Sequence, residues 1–100
     1  MSIKKQYLKN GICKVTFSTT QEVLDSINSI KVLGNFNNWN PNVESMKKLK
    51  SGSFTQTFSL NCGQEYEFKY LINNSIWIND PEADKHSPNG IGQYNSVITV

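Results

Sequence analysis

The chain has 100 residues, which is about the length of one domain, because chains divide into several domains only at roughly 250 residues or more. Hydrophobic residues make up 37% and charged residues 18% of the sequence, which is typical of a globular protein and argues against a disordered segment. With a net charge of +2 and a pI near 8.6, the chain falls short of the clustered basic surface of a nucleic-acid binder, so we expect no nucleic-acid partner.

The first residues contain early lysines but no apolar run after them, so the sequence predicts neither a secretory signal nor a membrane span. We therefore expect a cytoplasmic protein with no membrane partner. Cys13 and Cys62 lie far apart and fit no metal-binding or redox spacing. Both are predicted to be thiols of the core, and no metal or other cofactor is expected.

Two-residue alternation of apolar and polar residues is the strongest local signal, because it places side chains on opposite faces of a strand. The clearest example has one face that is nearly all aromatic and another that is mostly charged. In chain order, the alternating sets are Cys13, Val15 and Phe17, then Phe54, Phe58 and Leu60, then Tyr66, Phe68, Tyr70 and Ile72.

Further strands are predicted at Ile30–Gly34, Ile76–Ile78 and 94–100, with a short one at 46–49. Residues 20–28 fit either one helical turn or a plain loop. Turn residues separate the strands, most densely in the asparagine-rich segment 34–41. Six or seven short strands at intervals of about ten residues predict an all-β, immunoglobulin-like sandwich, with residues 1–100 as a single domain.

The pairing register of the hairpin after the aromatic strand can be predicted from the side chains that must enter the core. A three-residue loop at 73–75 places Ile72 opposite Ile76 and Tyr70 opposite Ile78, so that all four enter the core. A two-residue loop would send both isoleucines of the second strand to the polar face. We therefore predict the three-residue loop, which leaves Trp77 on the solvent face together with Lys69 and Leu71.

An exposed indole beside an ammonium group suits a sugar ligand. The apolar face of a glucose unit stacks on a flat ring, while lysine and asparagine side chains bond to the hydroxyl groups. Two structural interpretations stay open at this point. Trp77 could cover a small cluster under the loop at Pro81, and Trp39 could anchor the asparagine-rich loop to the sandwich.

Four separated blocks of the sequence carry a resemblance to a known family. They occupy residues 32–41, 63–70, 77–81 and 95–98, in one consistent order. Together they resemble the family 48 carbohydrate-binding modules over about residues 28 to 100. These modules are early-set sandwich domains of the AMP-activated protein kinase β subunit, and they also stand beside catalytic domains as the N-terminal domain of isoamylases and in branching enzymes.

The resemblance implies a set of glucan-binding residues. The two stacking tryptophans of the family fall on Trp39 and Trp77, its lysine on Lys69 and its asparagine on Asn95. The preceding loop departs from the family. Ile91 stands where the family has a leucine, and Gln93 stands where it has a threonine.

The function that we predict is non-catalytic binding of α-1,4-linked glucan, such as glycogen, starch or maltodextrin. A glycogen- or starch-metabolising enzyme is a candidate partner. The alternative is a protein-interaction adaptor or regulatory domain that keeps the fold without binding sugar.

Other candidate sites are set aside. His86 is the one histidine and is placed in a solvated loop without partners for a triad or metal centre. Glu65 and Glu67 share a strand face and are expected to be surface charges, not the paired acids of a glycosidase. Lys47, Lys48 and Lys50 are expected to protect an edge strand from pairing with other chains.

Overall fold

A computed structural model describes residues 2–19 and 27–100, which form two antiparallel sheets packed as a sandwich. The predicted all-β, immunoglobulin-like fold is confirmed. The first sheet has the strand order β1 (Ser2–Tyr7), β2 (Ile12–Ser18), β5 (Phe54–Asn61), β4 (Lys47–Lys48). The second has the order β3 (Ile30–Gly34), β6 (Glu65–Ile72), β9 (Tyr94–Thr99), β8 (Lys85–Pro88), and β7 (Ile76–Ile78) pairs with the end of β6.

A short 3-10 helix, Asn35–Asn37, follows β3. Within residues 2–19 and 27–100, no helix has the length and apolar character needed to cross a membrane.

The core lies between the sheets and is centred on aromatic rings. Phe17 of β2 contacts Phe68 and Tyr70 of β6, with ring centroids 5.1 Å and 6.2 Å away. Aliphatic residues surround these rings, because the alternation in each strand sends every second side chain inward. The buried core residues include Val15, Ile30, Val32, Phe54, Leu60, Ile72 and Ile98.

The strands with apolar alternation lie where the sequence predicts them, but the sequence does not predict two polar strands. The segment 46–49 contributes only Lys47–Lys48 to β4, and β9 ends at Thr99. The missed strands, β1 and β8, are edge strands of mixed polar sequence, and their position comes from backbone pairing with β2 and β9. The placement of His86 in a loop is therefore wrong, since it lies in β8 with its Nε2 atom 3.0 Å from the Asp80 carbonyl oxygen.

The hairpin register is confirmed, because Tyr70 pairs with Ile78, Leu71 with Trp77 and Ile72 with Ile76. Two burial expectations are wrong. Ile76 is 56% exposed, since it lies next to the hairpin turn, and Leu71, expected on the solvent face, is buried. Directly opposite residues share a face, so Lys31 and Trp77 flank Leu71 on the two neighbouring strands and account for its burial.

Three smaller expectations have mixed outcomes. The choice between helix and loop at 20–28 falls mostly on residues 20–26, which lie outside the described residues, while residues 27 and 28 belong to no helix or strand. The lysine pair Lys47–Lys48 does form an edge strand of the first sheet. Cys13 is a core thiol whose burial raises its pKa, whereas Cys62 is only partly buried at the edge of the core.

A buried polar network joins β6 to the segment after β7. Asp80 is fully buried, and its Oδ2 atom accepts a 2.7 Å hydrogen bond from the Tyr70 hydroxyl. Its backbone N–H donates to the Ser96 hydroxyl at 2.8 Å, and its Oδ1 accepts from the Glu82 N–H at 2.8 Å. A buried carboxylate is costly unless its hydrogen bonds are made, so these contacts fix the chain where it leaves the Trp77 strand.

We predict that Tyr70→Phe lowers the free energy of unfolding by about 1.5 to 3 kcal/mol, because it leaves a buried carboxylate oxygen without its donor. Urea unfolding at neutral pH measures the change. Tyr7→Phe is the control, since Tyr7 is exposed and its substitution should change stability by less than about 0.5 kcal/mol. Equal losses from both variants would contradict the assigned role of the Tyr70 hydroxyl.

The same pair predicts a loss of stability at alkaline pH. Burial, followed by the bond to Asp80, raises the pKa of Tyr70, so the folded protein keeps a phenol proton that the unfolded chain releases above about pH 10. From this group alone, stability falls by up to about 1.4 kcal/mol per pH unit above that point. Urea unfolding of the wild type and Tyr70→Phe between about pH 9 and pH 11 should show their difference shrinking. A constant difference would exclude this explanation.

Candidate functional site

The outer face of the second sheet carries a groove of about 250 Å³. Its residues come from four places in the chain: the loop after β3, strand β6, the β7 strand of the hairpin and the β8–β9 loop with the start of β9. The lining residues are Trp39, Lys69, Trp77, Asn89, Ile91, Gln93 and Asn95.

The loop that presents Trp39 is held against the end of β3 by Asn37. The Asn37 Oδ1 atom accepts a 3.0 Å hydrogen bond from the Gly34 N–H, and its Nδ2 donates to the Val32 carbonyl at 2.9 Å. The Trp39 N–H donates to the Gly34 carbonyl at 2.9 Å. Asn38 and Trp39 both adopt left-handed backbone, with φ of 58° and 53°. These bonds maintain a conformation that most residues avoid, and they turn the Trp39 side chain toward the groove.

The same loop is anchored in the core by Phe36. Its ring centroid lies 4.9 Å from that of Phe58 and 6.4 Å from that of Phe17. Gly34 lets the chain approach β6 closely, because a Cβ atom at this position would lie 2.3 Å from the Glu67 carbonyl oxygen and 2.7 Å from the Phe36 ring. Trp39 is therefore held by a loop that is fixed at both Gly34 and Phe36.

Trp77 reaches the groove because of its register in the hairpin. It lies opposite Leu71 on the outer face, and its side chain is 47% exposed, so the prediction that it remains outside the core is confirmed. Leu33 and Leu71 are also on this face and are buried, and Leu33 lies opposite Lys69. Trp77 and Lys69 therefore reach the groove from a face of the sheet that also carries buried leucines.

The loop between β8 and β9 forms another side of the groove. Ile91 is 77% exposed and stands between Gly90 and Gly92, both with positive φ. Asn89 organises this loop, because its Oδ1 atom accepts hydrogen bonds from the Ile91 N–H at 3.1 Å and the Gln93 N–H at 3.3 Å. An asparagine that bonds to the backbone two residues further on is a common turn former.

Polar side chains run along the rest of the groove. The Lys69 ammonium lies 3.4 Å from the Gln93 Oε1 atom, and the Asn95 Nδ2 atom lies 3.4 Å from the Glu67 Oε1 atom. Both contacts are long, so these groups keep capacity for further hydrogen bonds. The lining residues other than Lys69 are apolar or carry amides, and this arrangement suits a neutral ligand rich in hydroxyl groups.

The structure brings together all the residues that the resemblance implies, namely Trp39, Lys69, Trp77, Ile91, Gln93 and Asn95. Sequence analysis missed Asn89. The only signal for it is the turn-forming run Pro88, Asn89, Gly90, which predicts a turn but not a side chain that lines a groove.

Comparison with known proteins finds a relative in sequence. The chain is 37% identical over 59 residues to an amylopullulanase of Thermoanaerobacter thermohydrosulfuricus, and the match spans 57% of this chain and 4% of that enzyme. No family model matches the sequence.

Solved structures with a similar fold include two esterases. The enterobactin esterase FES of Shigella flexneri, crystallised in the presence of enterobactin, is matched at a TM-score of 0.76 with 17% identity over 98% of this chain and 32% of that one. The ferric enterobactin esterase of Salmonella typhimurium is matched at 0.73 with 13% identity over 98% and 34%. At these identities the likeness concerns the fold alone, and this chain spans about a third of the esterase chains and a small fraction of the amylopullulanase.

Proposed function

We propose that residues 1–100 form a non-catalytic domain that binds α-1,4-linked glucan in the groove of the second sheet. One observation carries the proposal: both tryptophans of the chain line the same groove, together with a lysine and three amide side chains. Two indoles at one groove can stack on successive glucose units, while Lys69 and Asn95 bond to the hydroxyl groups and fix the orientation of the chain.

The energetics favour weak to moderate binding. Stacking that buries roughly 100 Å² of apolar area on one ring contributes about 2.5 kcal/mol before the entropy of association is subtracted. Two rings and a few hydrogen bonds in an open groove correspond to dissociation constants between about a micromolar and a millimolar.

Two likenesses support a carbohydrate ligand. The relative of 37% identity is an amylopullulanase. The four sequence blocks that resemble family 48 carbohydrate-binding modules include the positions of Trp39, Lys69, Trp77 and Asn95. We extend the proposal to the partner: the domain serves an enzyme of glycogen or starch metabolism.

The acidic residues near the groove do not suit hydrolysis. Paired-acid glycosidases need two carboxyl groups that flank the scissile bond, and none of the seven lining residues is an acid. Glu65 forms a 2.5 Å ion pair with Lys85, whose hydrogen bond holds the pKa of that carboxyl below its ordinary value. Glu67 accepts the bond from Asn95. We therefore propose a binding role without catalysis.

We predict that titration calorimetry with maltoheptaose gives measurable heat and a dissociation constant between about a micromolar and a millimolar. Cellohexaose, whose β-linked chain is straighter, should give no comparable heat. Equal heats from the two sugars, or none from either, would contradict the proposal. In that case the adaptor interpretation predicts that proteins captured from a lysate stay bound in excess maltodextrin.

We also predict that Trp77→Ala weakens maltoheptaose binding at least about tenfold, because it removes one stacking ring. The protein should keep its fold, since the indole is half exposed. Tyr7→Ala is the matched control, because Tyr7 is an exposed aromatic residue on the first sheet and does not line the groove. Calorimetry compares the two variants, and circular dichroism checks their folding. Similar affinity in both variants would show that the sugar binds elsewhere.

A further inference from the structure

The β8–β9 loop places two groove residues, and its conformation depends on one side chain. Asn89 makes three hydrogen bonds within the loop: its backbone N–H donates to the Gln93 carbonyl at 3.0 Å, and its Oδ1 accepts from the N–H groups of Ile91 and Gln93. Asn89 therefore closes the loop on itself and also lines the groove.

The tip of the loop is the part that most needs the Asn89 side chain. Gly90 and Gly92 flank Ile91 with φ of 85° and 81°, and glycine has more backbone freedom than any other residue. The Ile91 side chain is 77% exposed and has no extensive packing to hold it. Without the two bonds to the Asn89 side chain, the loop would keep the backbone bond from Asn89 to Gln93 and the long contact between Lys69 and Gln93. Residues 90–92 could then reach more conformations, and a ligand would have to order them on binding.

We infer that Asn89 is a positioning residue, which preforms the β8–β9 loop so that Ile91 and Gln93 already face the groove before a glucan binds. The inference rests on the proposed glucan function. The part of Asn89 that acts is the Oδ1 acceptor, since that atom receives both backbone N–H groups. A carboxylate presents an equivalent oxygen at the same distance from the backbone, so Asn89→Asp keeps the contact and Asn89→Ala removes it.

The experiment measures binding and loop order separately. Maltoheptaose affinity is determined by calorimetry for the wild type, Asn89→Ala and Asn89→Asp, and backbone ¹⁵N relaxation is recorded at Ile91 and Gln93 without sugar. Ser51→Ala is the matched control, because the Ser51 hydroxyl accepts a hydrogen bond from the Ser53 N–H in an exposed turn that does not line the groove.

We expect Asn89→Ala to bind about 5- to 10-fold more weakly, because the ordering of the loop then opposes binding. Order parameters at residues 91 and 93 should fall below about 0.6 in that variant. Asn89→Asp should bind more tightly than Asn89→Ala and keep an ordered loop, and Ser51→Ala should match the wild type.

Two results would overturn the inference. One is unchanged affinity and unchanged order in Asn89→Ala. The other is an Asn89→Asp variant as weak as Asn89→Ala with an ordered loop, which would assign the effect to a direct contact between the Asn89 amide and the sugar. If the wild type binds no maltoheptaose, the proposed function fails, and relaxation alone decides whether Asn89 orders the loop.

Discussion

The alternation of side chains along β6 is the constraint on which the site depends. Phe68, Tyr70 and Ile72 must face the core, and a turn of three residues keeps the returning strand in the same phase. Trp77 has no place inside the sandwich under this register and emerges on the outer face with Lys69. A shift of one residue would turn the indole toward the core and move Ile78 from the core to the outer face, so the packing of the core also determines the position of the groove.

The other residues of the groove depend on close contacts in loops. Trp39 is positioned by a turn that combines a glycine pressed against β6, a phenylalanine in the core and an asparagine bonded to β3. The buried carboxylate of Asp80 holds the chain after β7 against Tyr70 and Ser96. Each of these contacts is satisfied inside the protein, so the two indoles are carried by rigid segments that need little reorganisation when a ligand binds.

The sequence predicts the parts of this protein that obey a simple periodicity. The alternating residues predict strands β2, β5 and β6. The pairing of Tyr70 with Ile78 predicts that Trp77 points away from the core. The sequence does not predict β1 or β8, because edge strands need few apolar residues and are defined by pairing with a neighbour. The burial of Leu71 is likewise not predictable from the sequence, since it depends on the side chains that flank Leu71 on adjacent strands.

Only part of the candidate site can be predicted from the periodicity of the sequence. The outward orientation of Trp77 and its neighbour Lys69 can be derived from the alternation of side chains in the hairpin. Only the family resemblance predicts the other groove residues, because they meet Trp77 only after distant loops fold together; these are Trp39, Asn95, Ile91 and Gln93. Neither the alternation nor the family resemblance predicts Asn89, since its role depends on hydrogen bonds within a short turn that composition does not specify.

The central claim is that a glucan chain lies across both indole rings. The chain has two tryptophans, so its NMR spectrum contains two indole N–H signals that report directly on this contact. The account predicts that both signals shift progressively as maltoheptaose is added, while the backbone signals of β2 and β5 on the first sheet stay in place. Unmoved indole signals, or shifts confined to the first sheet, would contradict it.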